Sequence, residues 1–480
     1  MQKTCVFAVL FLIGIAPPLR AESPPAGKPP REAILGHWLA TLKIQGVTLR
    51  LAATIRAEPD GSLKGTLNSL DQNGVDYPLD EVSLQEMKLR LVLKISGLVY
   101  EGTLNAAGTG ISGRLKQRGA SLPLDFKKVD QAPVGRKRPQ EPKRPFPYKE
   151  EAVTFENASA HAKFAGTLTL PRTAGPFPAV LLITGSGQQD RDETVFGHRP
   201  FLVLSDYLTR HGIAALRVDD RGVGGSTGDV TNATSEDFAS DVLAGIAYLK
   251  SRAEIDPHRI GLVGHSEGGI IASMVAGRSS DVAFIVLLAG TGLPGAQISN
   301  LQMAALMKQA GFPASLIAKT RTFQDKLYAA VEHESDPAAL RRKIKQAFDE
   351  YRASLTDDEQ KKAGVAAGAA DVTTKVIGSP WFRFYLTYDP RSALRQVRCP
   401  VLALIGEKDI QVPPKENLPE IEKALRTGAN KDYVVKELPR LNHLFQTCQT
   451  GNIDEYARIE ETFAPSALEL IADWISRHTR

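Results

Sequence analysis

The 480-residue sequence predicts an α/β fold, a mostly parallel sheet covered by helices on both faces and interrupted by a helical insert, with a small antiparallel all-β domain ahead of it. From Glu151 onward short apolar runs alternate with helical patterns. One of them, Pro178-Ala179-Val180-Leu181-Leu182-Ile183-Thr184, is apolar almost throughout, as a strand buried on both faces requires. The stretch Arg259-Ile260-Gly261-Leu262-Val263-Gly264-His265-Ser266-Glu267-Gly268-Gly269-Ile270-Ile271-Ala272 reads as strand, glycine-flanked turn and small-residue helix. Before residue 130 the period changes to two, as in Lys88-Leu89-Arg90-Leu91-Val92-Leu93-Lys94-Ile95.

Residues 1–21 carry Lys3, an apolar run over 5–16 and Pro17-Pro18 ahead of Ala21. The run is too short to span a bilayer and a small residue at its end suits cleavage, so a signal peptide and a secreted or periplasmic protein are expected. No later stretch approaches the length of a membrane span. Cleavage would leave Cys399 and Cys448, too few for a disulfide framework or a metal site. Cys399 is expected at the rear edge of the sheet and Cys448 after a loop at its front, which favours two unpaired thiols.

The net charge of +5 is local: residues 116–149 hold ten Lys or Arg against Asp125, Asp130 and Glu141. A basic excess confined to one segment argues against nucleic-acid binding. Residues 130–150 are rich in proline and charge and poor in apolar side chains, the composition of an extended, solvated linker. The segment 32–129 ahead of it shows repeated alternation broken by turn signals such as Pro59-Asp60-Gly61-Ser62, which predicts a meander, open or closed as a small barrel. It holds no catalytic constellation.

Residues 151–480 form the second predicted domain. Gly264-His265-Ser266-Glu267-Gly268 has the spacing of a nucleophile elbow, in which a serine on a strained strand-to-helix turn is lifted clear of the sheet. The flanking glycines let the two backbones approach. A second copy, Gly224-Gly225-Ser226-Thr227-Gly228, lacks a preceding apolar run and a following helix pattern and is expected to be a loop. Thr184-Gly185-Ser186-Gly187 follows the first buried strand at the carboxyl edge, where open α/β sheets place their ligands. The backbone N–H groups of Ser186 and Glu267 are therefore the candidate oxyanion hole. Residues 188–193, Gln-Gln-Asp-Arg-Asp-Glu, are expected to tie that loop down by local ion pairs rather than take part in chemistry.

An acid and a histidine must follow the serine in chain order, which leaves His333, His443 and His478. His443 alone follows an apolar strand, Tyr433-Val434-Val435, and precedes the final helix, so it is the candidate base. Pro400-Val401-Leu402-Ala403-Leu404-Ile405-Gly406-Glu407-Lys408-Asp409 offers the acid: Asp409, beyond the strand end, is preferred and Glu407 stands in reserve. Such an acid accepts a hydrogen bond from the histidine, setting its tautomer and stabilising the imidazolium. Residues 291–398 read mainly as helices, over 299–309, 314–333 and 338–354, and an insert above the carboxyl edge would be a lid. Its aromatic run, Trp381-Phe382-Arg383-Phe384-Tyr385, fits lid core better than a pocket wall.

With Gly185-Ser186-Gly187-Gln188-Gln189-Asp190-Arg191-Asp192-Glu193, Asp219-Asp220-Arg221-Gly222, Gly264-His265-Ser266-Glu267-Gly268-Gly269, Ser379-Pro380-Trp381-Phe382 and Gly406-Glu407-Lys408-Asp409 in view, the sequence from Glu151 onward resembles the bacterial α/β-hydrolase esterases of the EstD type, close to the serine aminopeptidase-like hydrolases. The resemblance implies an α/β-hydrolase fold, Ser266 as nucleophile, Asp409 as acid, His443 as base, and carboxylesterase activity on a small-molecule ester without cofactor or metal. The family loop often has proline where Gln188 stands. A serine aminopeptidase, with Glu332, Glu334 and Asp336 holding a substrate amine, and a non-catalytic binding protein on the same fold are the alternatives; an aromatic and aliphatic lid suits short or medium acyl chains better. Oligomeric state is open.

Overall fold

The computed structural model describes residues 30–44, 47–71, 76–117, 120–363 and 369–480. The expected signal peptide, residues 1–21, lies outside the described residues.

The two-residue period upstream of residue 130 becomes a nine-stranded antiparallel sheet. Alternate side chains such as Trp38, Ala40, Leu89, Leu91, Tyr100 and Phe126 turn inward to one core, while the intervening Arg and Lys face water. The sheet curls on itself. Leu79 and Asp80, which join the two edge strands Tyr77–Pro78 and Glu81–Gln85, donate to Gly65 and Val92 on opposite sides of the sheet. That engages edge groups that would otherwise be open to pairing with another chain.

Residues 130–148 have no regular structure. The expected solvated linker is exposed at Val134 (77%), but it docks at Arg138 and Gln140. Arg138 donates to the carbonyls of Phe196, Gly197, Ala457 and Ile459, and Gln140 binds the backbone of Thr462 and Phe463. Five donors in a fixed fork allow one arginine to bind several carbonyls at once. The basic segment is therefore partly a strut against the second domain.

The second domain is built on an eight-stranded sheet, in spatial order Lys149–Asn157, Ala162–Leu170, Ala214–Val218, Phe177–Ile183, Ile255–His265, Phe284–Leu288, Val401–Gly406 and Tyr433–Leu438. The leading pair is antiparallel, as expected, and the strands from Phe177–Ile183 onward are parallel to their neighbours. Helices Ser235–Lys250, Glu267–Ala276 and Pro414–Thr427 cover one face, and Pro200–Arg210 and Pro465–His478 the other. Burial on both faces explains the unbroken apolar runs. The strand order reverses beside Phe177–Ile183, so the crevice for a ligand opens at its carboxyl end. Between Phe284–Leu288 and Val401–Gly406 stands the helical insert, whose helices Gly295–Gln309, Ala314–His333 and Pro337–Ser354 match the expected ones and share a core of their own.

Candidate active site

Strand Ile255–His265 and helix Glu267–Ala276 meet at Ser266, which takes φ 54° and ψ −116°. A serine rarely adopts positive φ, and such strain persists only where the surroundings impose it. A Cβ on Gly264 would lie 2.0 Å from the Gly268 carbonyl oxygen, and one on Gly268 2.2 Å from that of Ile183. Neither position has room for a side chain, so the elbow closes only with glycine on both sides. In contrast, Ser226 is locked into a loop: its hydroxyl donates to the Asp219 carbonyl at 2.7 Å and accepts from Ala165 N–H at 2.9 Å.

His443 Nδ1 lies 2.8 Å from Asp409 Oδ2, with the two side chains 2% and 0% exposed. The other carboxylate oxygen accepts from the N–H groups of Gln411 and Val412, each at 2.8 Å. An acceptor-only carboxylate places the proton on Nδ1 and leaves the Nε2 lone pair available. Asn442 shapes the loop by accepting from the N–H groups of Leu444 and Gln446. The reserve acid, Glu407, instead accepts from Arg440 N–H at the surface. His333 is exposed, and His478 stacks on Trp474.

Strand Phe177–Ile183 runs parallel to the elbow strand with Ile183 opposite Gly264, which delivers Thr184-Gly185-Ser186-Gly187 beside Ser266. A Cβ on Gly185 would meet that of Ser266 at 3.4 Å. Ser186 lies on this loop, and Glu267 opens the helix, whose first N–H groups have no partner within the helix. The following charged segment is tied down by ion pairs, though to distant rather than local partners: Arg191 holds Asp219 through Nε and Nη2, Asp192 pairs with Arg217, and Gln189 N–H binds Asp220. Burial holds the Asp220 carboxyl well above the usual carboxylate range; hydrogen bonds from Gln189 and Thr184 oppose this, and the charges of Glu193 and Glu267 add to it. Beside the loop a recess of about 680 Å3, open mouth included, is lined by Gly187, Gln188, Val230, Phe238, Glu267 and Ile271, among others.

Two contacts at this site were not visible in the sequence. Glu193, expected to pair locally, reaches His265 Nδ1 at 2.8 Å and accepts from Gly185 N–H at 2.7 Å. Trp381 of the insert donates to Glu267 Oε1 at 2.9 Å, and the same oxygen accepts from Ser235 at 2.6 Å. The aromatic run thus divides: Phe382 and Tyr385 pack on the insert's core, Phe384 joins that of the main domain, and Trp381 reaches the elbow. The acidic residues considered for an amine are spent elsewhere. Glu332 is 60% exposed, Glu334 pairs with Lys343, and Asp336 caps a helix.

Cys399 and Cys448 are free thiols, as expected, and burial pushes the Cys399 thiol up to about 12. Among the described residues no helix is long and apolar enough to cross a membrane, and no cluster of three or more His, Cys, Asp or Glu could hold a metal.

A model of the alpha/beta hydrolase family matches residues 180–451. The chain is 27% identical to Esterase EstD of Thermotoga maritima over 253 residues, 52% of this chain and 51% of that protein. It is 33% identical to the putative hydrolase YtaP of Bacillus subtilis over 134 residues, 24% of this chain and 44% of that one. It thus spans about half the length of the curated relatives it matches. Among solved structures, an esterase of Pyrococcus furiosus aligns with 70% of this chain and 92% of its own, at 16% identity and a TM-score of 0.40. With the family model spanning both the elbow and the histidine loop, the chain belongs to the alpha/beta hydrolase family.

Proposed function

We propose that this protein is an exported serine hydrolase that cleaves carboxylic esters of short or medium acyl chain, a carboxylesterase with Ser266 as nucleophile, His443 as base and Asp409 as acid. The observation that carries the reading is the buried His443–Asp409 hydrogen bond, which presents Nε2 as a base in a domain whose elbow carries Ser266. Ser266 Oγ attacks the acyl carbon while its proton passes to His443 Nε2, and the developing oxyanion is received by the N–H groups of Ser186 and Glu267. Collapse of the tetrahedral intermediate expels the alcohol, protonated by His443. Water, deprotonated by the same nitrogen, then attacks the acyl-enzyme and releases the carboxylic acid and Ser266.

Similarity to Esterase EstD supports an ester over an amide substrate, and the aromatic and aliphatic side chains of the insert suit a short or medium acyl group. Export rests on the pattern of residues 1–21 alone. A fluorophosphonate probe should label the wild type and Ser226→Ala but not Ser266→Ala; equal labelling of Ser266→Ala sinks the mechanism. Comparing kcat/KM for p-nitrophenyl esters of increasing acyl length with aminoacyl anilides tests the substrate class, and preference for the anilides overturns the esterase assignment. N-terminal sequencing of protein recovered outside the cytoplasm tests export.

A further inference from the structure

The residue before the nucleophile is itself held in an unusual way. His265 is buried, and each of its ring nitrogens faces an oxygen: Nδ1 lies 2.8 Å from Oε1 of Glu193, an acceptor as carboxylate, and Nε2 3.0 Å from the carbonyl oxygen of His443. A neutral imidazole carries one N–H, so either tautomer would press a ring lone pair against an oxygen lone pair where water cannot intervene. An imidazolium satisfies both.

Resting on the serine-hydrolase reading above, we infer that His265 is a positioning residue, an imidazolium paired with Glu193 that ties the oxyanion loop to the loop of His443. The connections are direct. Glu193 Oε1 accepts from Gly185 N–H at 2.7 Å as well as from His265, and Gly185 leads into Ser186. The other ring nitrogen fixes the backbone of His443, whose ring centroid lies 4.8 Å from that of His265. Glu193 adopts φ 54° to reach the pair, and a Cβ on Gly185 would crowd Glu193 Oε1 at 3.3 Å and His265 Nδ1 at 3.4 Å. One ion pair thereby joins the elbow, the proposed oxyanion loop and the base. None of its atoms needs to touch substrate; it acts through Gly185 and His443.

The charged and titratable groups around the ring come from three loops: Glu193 from the oxyanion loop, Asp409 from the acid loop and His443 from its own. Glu193 in turn neighbours Asp220 and, through it, Glu267. Burial lowers the imidazole's pKa, but the charge and hydrogen bond of Glu193, the His443 carbonyl and the charge of Asp409 outweigh it, and the result is raised above the ordinary histidine value. The pair is therefore complete below that ordinary value and is lost as pH rises through the raised one. His443 must be neutral to act as base, so protein with His265 charged and His443 uncharged is the active form.

The test reads protonation and catalysis separately. In protein labelled with 15N-histidine, at about pH 8 where an ordinary imidazole is neutral, one ring should show two protonated nitrogens, and its signals should vanish in His265→Gln. A wild type in which every ring at that pH carries a single N–H overturns the inference. In Glu193→Gln the amide oxygen can still accept from Gly185 and from His265 but carries no charge. With that charge gone burial is the dominant influence left on His265, so the doubly protonated ring should be lost at about pH 8 and kcat should fall about tenfold or more, the loss of one hydrogen bond to a charged group, while KM holds. A Glu193→Gln enzyme that keeps both the wild-type kcat and the doubly protonated ring would overturn the positioning role. An inactive wild type that keeps the doubly protonated ring would uphold the pairing and count against the esterase reading alone.

Discussion

Trp381 Nε1 donates to Glu267 Oε1 at 2.9 Å, joining the helical insert to the residue that follows Ser266. The carboxylate is 3% exposed and its oxygen is shared with Ser235. The insert is thus latched onto the helix whose first N–H is the proposed oxyanion donor.

Trp381→Phe keeps an aromatic ring against Tyr385 but removes the donor. A hydrogen bond to a charged group contributes about 1.5–3 kcal/mol, so kcat/KM for a p-nitrophenyl ester should fall by about tenfold or more. The insert should also become more sensitive to limited proteolysis. Unchanged kinetics and unchanged cleavage would show that the latch is incidental.

Asp409→Asn preserves shape while replacing an acceptor with an amide that stabilises the wrong tautomer of His443. A drop of roughly 10³–10⁴ in kcat is expected with little change in KM, the pattern of triads in which the acid is neutralised. Glu407→Gln, altered at a surface carboxylate bound to Arg440 N–H, should retain wild-type turnover. If the two variants exchange these phenotypes, the acid has been misassigned.

Arg138 fills four carbonyl acceptors drawn from two loops of the second domain. Arg138→Ala should destabilise the protein by about 2–3 kcal/mol, and Arg138→Lys should recover only part of this because an ammonium lacks the planar fork. Denaturant unfolding of the full chain measures both. A substitution with no effect on the midpoint would return residues 130–150 to the role of a passive spacer.

His198, between those loops, is fully buried and bonded to Thr462 and to the Tyr456 carbonyl. Burial and, after it, the charge of Arg138 lower its pKa from 6.5 to about 4. A depressed folded-state value means the unfolded chain binds the proton first, so stability contributed by the neutral ring is present above pH 6.5 and drains away between 6.5 and about 4. The expected loss is on the order of 2–3 kcal/mol. Unfolding measured against pH should show this acid limb in the wild type and a flatter one in His198→Asn; parallel limbs would rule out His198 as the group responsible.

How much could be read in advance follows from how far apart the interacting residues lie. The elbow was legible because strand, glycine-serine turn and helix are contiguous, and their steric demands fall on neighbours. The buried strands were legible because burial on both faces leaves an apolar run, and the insert because helical periodicity repeats within one segment. His443 could be chosen by chain order and by the strand ahead of it. Spacing left Asp409 and Glu407 only two residues apart at the same strand end; the turn after Gly406 directs the first at His443 and the second at Arg440 N–H. The pairs Glu193–His265 and Glu267–Trp381 are 72 and 114 residues apart, and Arg138 meets Ile459 across 321. A buried carboxylate or a docked arginine carries the same letter as a solvated one, and only packing selects which distant donor comes within hydrogen-bonding reach. The sequence alone therefore showed the fold class and offered the residues of the candidate site, while folding of the loops decided which charged groups lie against them.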